Sequence, residues 1–401
     1  MEKIVLNWTS EKGINSFVKW IQYEDEKFLN SELRKQLGYI IHSKRTKSFK
    51  IKDGEAEIQL TKYKYYKNDK WNYGYAPHLI FEKGTIITPE LKKAILQNVK
   101  MGLSYRNIVK RYNNIISIGY ITYLMKKVEI KTTKLDIHSK ENNGYLYMHI
   151  DDAYQDLIDE NNKKSKFRTR AMYFHLVEKN NKKKVFATSL LVNTSKTNTS
   201  KKFVDFTIKS IKKHIKENYD LNLKLVIYGD GAKYMKTISK HLNAIYILDW
   251  FHVTKLLLKT VGYGKYNTEN KKYFDYFRKI SNITLYKKIK NLIRENDSKN
   301  AIFILKNVVK KLWNIKLNSI KKRNIPNKVL EIYKFIQYLI FNKKALNFYN
   351  QVMDIGSKTE TMISHFIKKN TTKKFAIFSL DVFKKLIFLN QKNTKSVKFI
   401  N

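Results

Sequence analysis

Apolar positions change their spacing several times along this chain, and each change marks a different kind of structure. Near the start, Phe17, Trp20 and Ile21 recur at helical intervals, while 56–66 (AEIQLTKYKYY) partly alternates as a strand does. The remainder of 1–85 follows no single period. Between 88 and 127 the spacing predicts three short helices. Thr88-Pro89-Glu90 opens the first with a capping hydroxyl, a proline at the first helical position and an acid beside the positive end of the helix dipole. Leu91, Ile95 and Val99 then share a face, and Gly102 ends the run. Ser104 is placed to cap a second helix carrying Ile108 and Val109, and Ser117 a third carrying Ile118, Ile121 and Met125. Such a triplet suits a helix-turn-helix, whose last helix enters the DNA major groove, and suits a small helical bundle equally well.

After the polar stretch 129–143 the period becomes two. In 144–151 (GYLYMHID), Leu146, Met148 and Ile150 fall on one face. Two further strands are predicted at 169–178 and 184–192, separated by the turn-like NNKKK. A helix follows over 201–217, with Val204, Ile208, Ile211 and Ile215 on one side. Then come a buried strand at 223–229, a helix at 231–242 and a buried strand at 244–249. From 251 to 352 the pattern is helical and rich in lysine. A break at Asp354–Ser357 contains a glycine, and helical stretches resume at 358–369 and 375–390. Three strands, helix, strand, helix, strand predict an α/β sheet, an order associated with the ribonuclease H-like fold.

Composition narrows the class of partner. Hydrophobic residues make up 43% and aromatics 13%, which excludes a disordered chain. There are 80 Lys plus Arg against 34 Asp plus Glu, a formal net charge of +46. Self-repulsion of that size favours a polyanionic partner, nucleic acid first and an anionic membrane surface second. Lys, Asn, Ile, Tyr and Phe are all over-used, however, as codons rich in A and T dictate. Part of the lysine excess therefore reflects base composition, and the few acids become more informative. Tyr63, Tyr65, Tyr66, Trp71, Tyr73 and Tyr75 interleave with lysines, a mixture that suits base stacking as well as a half-buried aromatic core. The absence of cysteine removes disulfides, thiolate zinc sites and cysteine nucleophiles together. MEKIVLNWTS lacks the apolar core of a signal peptide, and lysines interrupt every apolar stretch that approaches membrane-spanning length. A soluble, cytoplasmic protein without membrane contact is expected; the apolar face of 331–350 suits burial in a core better than a membrane surface.

The candidate chemistry lies where strands end. Ligands of open α/β sheets gather at the carboxyl edges of the strands. Asp151 and Asp152 follow the first strand, Asp230 the fourth (YGDGAKY) and Asp249 the fifth (LDWFHVTK). An Asp and a Gly after a strand also form ordinary turns and helix caps. Three such positions in order, in a strongly basic chain, favour carboxylates held for hard divalent cations.

GYLYMHIDDAY, VIYGDGAKYMKTISKHLNAIYILDWFHVTK and IGSKTETMISHFIKK resemble the ISLre2-type bacterial transposases over roughly residues 85–385. The most specific pieces are GDGA, with eighteen residues between its Asp and that of D-W-F-H, and the stretch from Gly356-Ser357 to Ser364-His365. The Asp-x-x-His element is also similar to Mutator and IS256-like transposases, whose three-acid site sits on a ribonuclease H-like core interrupted by a helical insertion. The resemblance implies that Asp151, Asp230 and Glu360 are the catalytic, metal-binding acids. Asp152 takes the place of Asp151 if the register is off by one. Asp249, His252 and His365 take supporting roles. Glu331, the rival to Glu360, sits amid Val329, Leu330 and Ile332 and reads as part of a solvated helix face. A zinc site at His252 is disfavoured by the lack of cysteine and of a second well-spaced histidine. After the Glu360 motif the family's Arg and Trp are replaced here by KKNTTKKFAIFS, and lysine lacks the bidentate geometry of arginine.

The resemblance further implies two Mg²⁺ (or Mn²⁺) ions, double-stranded DNA as partner (element terminal repeats and target), and a homodimer or higher assembly on that DNA. Arg106, Lys110, Arg111, Lys126 and Lys127 are the candidate DNA contacts. The expected organisation is a region of unclear fold (1–85), a helix-turn-helix-like region (86–130), the first part of a mixed five-stranded core (140–255), a helical insertion (256–352) and the rest of the core (353–401). The expected function is DNA cleavage and strand transfer. A catalytically inactive DNA-binding protein of a mobile element or phage, or a ribonuclease H-like nuclease, is the alternative.

Overall fold

A computed structural model of the chain describes residues 13–79, 86–130, 135, 137–138, 140–196, 201–263, 270–271, 273–275, 282–317, 325–347, 378–389 and 396–400. Two compact units divide near residue 129.

In the first unit, α1 (Gly13–Leu29) and α2 (Glu32–Gln36) precede β1 (Ile40–Ile51), β2 (Gly54–Lys67), β3 (Lys70–Gly74) and the short β4 (Ile86–Ile87). The sheet order is β3-β2-β1-β4, antiparallel except where β4 joins β1 in parallel. Phe17, Ile21 and Phe28 of α1 pack on Phe49, Ile58, Leu60 and Tyr63 of the sheet. Buried Asp25 accepts from both the backbone N–H and the hydroxyl of Thr61, each at 2.9 Å. Residues 1–85 were opaque to periodicity for a local reason. Leu60, Thr61 and Tyr63 are all buried, so the burial pattern changes parity within β2, close to a register shift between Ile41 and Ser43 of β1.

The three short helices follow as α3 (Pro89–Lys100), α4 (Tyr105–Arg111) and α5 (Ile118–Lys127). Thr88, Ser104 and Ser117 are their caps, each hydroxyl accepting a backbone N–H at 3.1–3.3 Å. Leu91, Ile95, Ile108, Ile121 and Met125 are buried. Asn113 and Asn114, with φ of 48° and 62°, turn the chain between α4 and α5.

The second unit holds β5 (Tyr145–Ile158), β6 (Lys164–Glu178), β7 (Asn181–Lys196), α6 (Lys201–Asn218), β8 (Lys224–Gly229), α7 (Lys233–His241) and β9 (Ile245–Leu248). Helices α8 (Trp250–Val261), α9 (Leu285–Arg294), α10 (Ser298–Leu317), α11 (Ile325–Phe341) and α12 (Lys343–Asn347) come next. The chain then forms β10 (Phe378–Ser379), α13 (Leu380–Leu389) and β11 (Ser396–Ile400). The fold is therefore mixed α/β. Among the described residues the sheet has seven strands, where five were expected, in the order β11-β7-β6-β5-β8-β9 with β10 also beside β5. β5, β6 and β7 are mutually antiparallel; β8 and β10 run parallel to β5, β9 to β8 and β11 to β7.

One face of this sheet, with Leu146, Met148, Ile150 and Phe174, shares a core with α6, α7 and α8 and with Ile289, Leu305, Ile332 and Phe335 of the following helices. On the other face Leu157, Tyr173, Leu190 and Val192 pack against Phe383 and Ile387 of α13. Two expectations are corrected. β5 does not end at Asp151–Asp152 but runs on to Ile158, because Ala153 and Leu157 continue the alternation under α13. The stretch 375–390, expected to be helical throughout, begins its helix at Leu380, after β10. The expected helix at 358–369 lies outside the described residues. Among the described residues no helix is long and apolar enough to cross a membrane.

Candidate active site

The site grows from a difference in strand length. β8 pairs with β5 only as far as Tyr228 opposite His149, and β8 ends at Gly229. Continuing that register by two residues brings Asp230 level with Asp151. Leu248 pairs with Gly229, which puts Asp249 beside Asp230 in turn, and the Asp249 N–H donates to the Gly229 carbonyl at 2.7 Å. Strand register thus sets Asp151, Asp230 and Asp249 at one edge of the sheet.

Asp151 shares a face of β5 with Tyr147 and His149. One of its oxygens accepts the Asp152 N–H at 2.8 Å. Its carboxyl is pushed up to about 6 by burial, then by repulsion from Asp230; the Asp152 N–H and His252 act in the opposite direction. Asp230 folds its side chain onto its own turn, where Oδ1 accepts the Ala232 N–H at 2.9 Å. The turn is braced from outside: Tyr338 of α11 donates to the Asp230 carbonyl at 3.0 Å, and the Gly231 N–H donates to the Tyr246 hydroxyl at 2.9 Å. Gly231 has φ +96°, and a Cβ there would lie 2.7 Å from a Tyr338 ring carbon. That turn therefore requires glycine on both backbone and packing grounds.

Asp152 points to the opposite face and does different work. Its two oxygens accept from Arg168 Nε and Arg170 Nε at 2.8 Å each, with further bonds from both guanidinium tips. Arg170 is fully buried, donates to Thr207 at 3.1 Å, and lies 3.8 Å from the centroid of the Tyr234 ring. With both oxygens held by arginines, Asp152 is not a substitute for Asp151. Arg168, Arg170 and Tyr234 were missed from the sequence. The available signal was arginine itself: the chain has only nine, and two stand at i, i+2 on one strand face.

Asp249 is completely buried and caps α8, Oδ1 accepting the Phe251 N–H at 2.9 Å. Its Oδ2 stands 3.8 Å from His252 Nε2, and neither atom has a hydrogen bond. Glu331 is paired with Lys328 at 2.6 Å on a part-exposed helix face. Glu360 and His365 lie outside the described residues. Arg106, Lys110, Arg111, Lys126 and Lys127 are all exposed on the first unit; Arg111 also donates to Asn98 at 3.1 Å, and Lys127 stands over the Tyr123 ring at 5.6 Å.

Among the described residues no three His, Asp or Glu side chains are grouped so as to hold a metal ion. The Asp151–Asp230 pair nonetheless has the chemistry of a hard-cation site. Both donors are carboxylate oxygens, one oxygen of each is left uncommitted by the bonds above, and their mutual repulsion is what a divalent cation relieves.

These features define an α/β protein with paired carboxylates at a sheet edge. The chain belongs to an uncharacterised protein family, UPF0236, whose model matches residues 7–337. That span takes in the N-terminal sheet, begins well before the resemblance read from the motifs, and stops short of Gly356. No curated protein matches the chain.

Proposed function

We propose that this chain is a DNA transposase that cuts at the ends of a mobile element and joins the freed ends to target DNA. The observation that carries the reading is the convergence of Asp151 and Asp230, made by strand register and felt as repulsion at Asp151. The strand order supports the finer fold reading. Counting only β5 to β9, the sheet reads 3-2-1-4-5, with three antiparallel strands followed by two parallel ones, as in a ribonuclease H-like core. The helices from α9 to α12 then take the place of the insertion.

In this reading Asp151 and Asp230, with Glu360 as third acid, hold two Mg²⁺ or Mn²⁺ ions. When bound, such a pair supplies activation of the attacking oxygen and stabilisation of the leaving oxygen in phosphodiester transfer. Tyr338 and Gly231 fix the turn that presents Asp230. Arg168 and Arg170 lock Asp152, and through it the strand that carries Asp151. Buried Asp249 starts α8 and keeps His252 close to Asp151. The exposed cations of α4 and α5 hold the duplex at the terminal repeats, and two ends brought together require at least a dimer on DNA. The work is done in the cytoplasm, without a membrane.

The test is cleavage and strand joining on a labelled element end with Mg²⁺ or Mn²⁺, comparing wild type with Asp230→Ala. Metal-dependent cutting and joining, abolished by the substitution, is the expected result. Cutting without joining identifies a ribonuclease H-like nuclease instead. Tight binding without cutting by either protein identifies an inactive DNA-binding protein.

A further inference from the structure

The first unit carries a second surface that the reading above does not use. β2 and β3 form an antiparallel hairpin in which Tyr66 stands opposite Trp71 and Lys64 opposite Tyr73. Cross-strand partners share a face, so these four side chains form one patch. Tyr66, Trp71 and Tyr73 are 58%, 49% and 50% exposed. Lys64 Nζ lies 4.3 Å from the Trp71 ring centroid and Lys62 Nζ 5.4 Å from that of Tyr73. His42 of β1 extends the row, its ring 4.8 Å from Tyr73, and Trp71 meets Tyr66 edge-on at 5.4 Å.

None of this is needed to build the core. Tyr63, between Lys62 and Lys64, faces the other way and packs against Phe28 of α1, in one buried cluster with Ile58 and Leu60. A single exposed aromatic is ordinary; three on one face, two of them in contact and two of them under ammonium groups, form a contiguous patch of the kind that marks a partner. The charge identifies its chemistry. Lys62 and Lys64 stand over the rings, Lys67 and Lys70 flank the hairpin turn beside them, and Asp69 in that turn is the single acid between Lys62 and Tyr73. Lysines suit phosphates and exposed ring faces suit bases, but a ring can take a base only when that base is not stacked in a duplex.

We infer that the outer face of the β2–β3 hairpin binds single-stranded DNA, with bases stacked on Tyr66, Trp71 and Tyr73 and the backbone held by the neighbouring lysines. This goes beyond the duplex contacts assigned to α4 and α5 and does not depend on the acid pair.

The test uses the full-length protein and fluorescence anisotropy with labelled dT20, a 20-base-pair duplex and rU20. Trp71→Ala/Tyr73→Ala is expected to weaken dT20 binding by about tenfold or more, since each base–aromatic stack lost is a substantial part of such an interaction. Duplex affinity should change by less than about twofold, against a phosphate-only contribution that these rings do not make. Trp71→Phe/Tyr73→Phe should retain most of the dT20 affinity. Ultraviolet crosslinking of wild type to a bromodeoxyuridine oligonucleotide should map to the hairpin, a readout independent of variant folding. Unchanged dT20 binding in the alanine variant, or equal loss for dT20 and duplex, overturns the inference. So does preference for rU20, or a dimer that the alanine variant converts to monomer while dT20 binding persists.

Discussion

Asp151 and Asp152 are adjacent, chemically identical and predicted to respond oppositely to the same substitution. Asp151 is pushed up to about 6 by burial and by Asp230. The folded state therefore binds a proton more tightly than the unfolded chain, whose aspartates titrate near 4. Stability should fall as pH rises from about 4 to about 6, then stay level. At pH 7.5 the charged Asp151 costs up to about 3 kcal/mol, at about 1.36 kcal/mol for each pKa unit. Asp151→Asn removes that cost and keeps an acceptor for the Asp152 N–H. Asp152→Asn instead leaves fully buried Arg170 without its counter-charge, which costs about 3–5 kcal/mol. For a unit of this size each kcal/mol moves the melting temperature by about 2–4 °C. Calorimetry at pH 7.5 in chelator should thus show Asp151→Asn melting up to about 10 °C above wild type, and Asp152→Asn about 6–20 °C below it. At pH 4 the advantage of Asp151→Asn should shrink, because the wild-type carboxyl is then protonated. Added Mg²⁺ should raise the melting temperature of wild type and not of Asp151→Asn. If Asp151→Asn destabilises as much as Asp152→Asn, the division of roles between the two carboxylates is wrong.

Gly231→Ala should cripple cleavage and lower stability, since the +96° backbone costs about 1 kcal/mol for a side chain and the Cβ meets the Tyr338 ring at 2.7 Å; wild-type activity in this variant would rule out a strict demand at the turn. Ser117→Ala removes the cap of α5 and should cost about 1 kcal/mol, read by urea titration, with a parallel loss of duplex affinity if α5 is the DNA-reading helix. Glu360→Gln should abolish metal-dependent cleavage and the Mg²⁺-induced rise in melting temperature, while Asp354→Asn keeps both.

The sequence disclosed most where one residue type has one local meaning. Thr88, Ser104 and Ser117 cap the helices they were expected to cap, because a hydroxyl before an apolar period has few other uses. The strands before Asp230 and Asp249 were legible because they are short, buried and apolar, while the strand through Asp151 was read only as far as its first apolar half. The first sheet was not legible, because Leu60, Thr61 and Tyr63 are all buried, so burial in β2 changes parity, and periodicity averages across such a change. β10 and β11 are two and five residues long and borrow their stability from β5 and β7, so nothing local announces them. Asp152 and Asp151 could not be told apart either. Which face a strand residue takes depends on register, and the arginines that claim Asp152 lie on the next strand.

The proposed reading needs a third acid, and the pairing of β5 bears on which segment to test for it. β8 leaves β5 after His149, and β10 joins the same strand only at Leu157. Between these points β5 is paired by β6 on one side, and Asp151 lies within the gap. The chain that enters β10 is the connection from Asn347 to Phe378, and its acids are Asp354 and Glu360. Under the proposed reading, the third carboxylate comes from the segment whose next described residues, Phe378 and Ser379, pair with β5. Glu331 is committed to Lys328 on α11, and Asp152 is held by two arginines on the other face. Glu360 carries one more methylene than Asp354 and so has the longer reach, and it stands nearer in sequence to β10. Loss of cleavage in Asp354→Asn with retention in Glu360→Gln would reverse this assignment while leaving the Asp151–Asp230 pair intact.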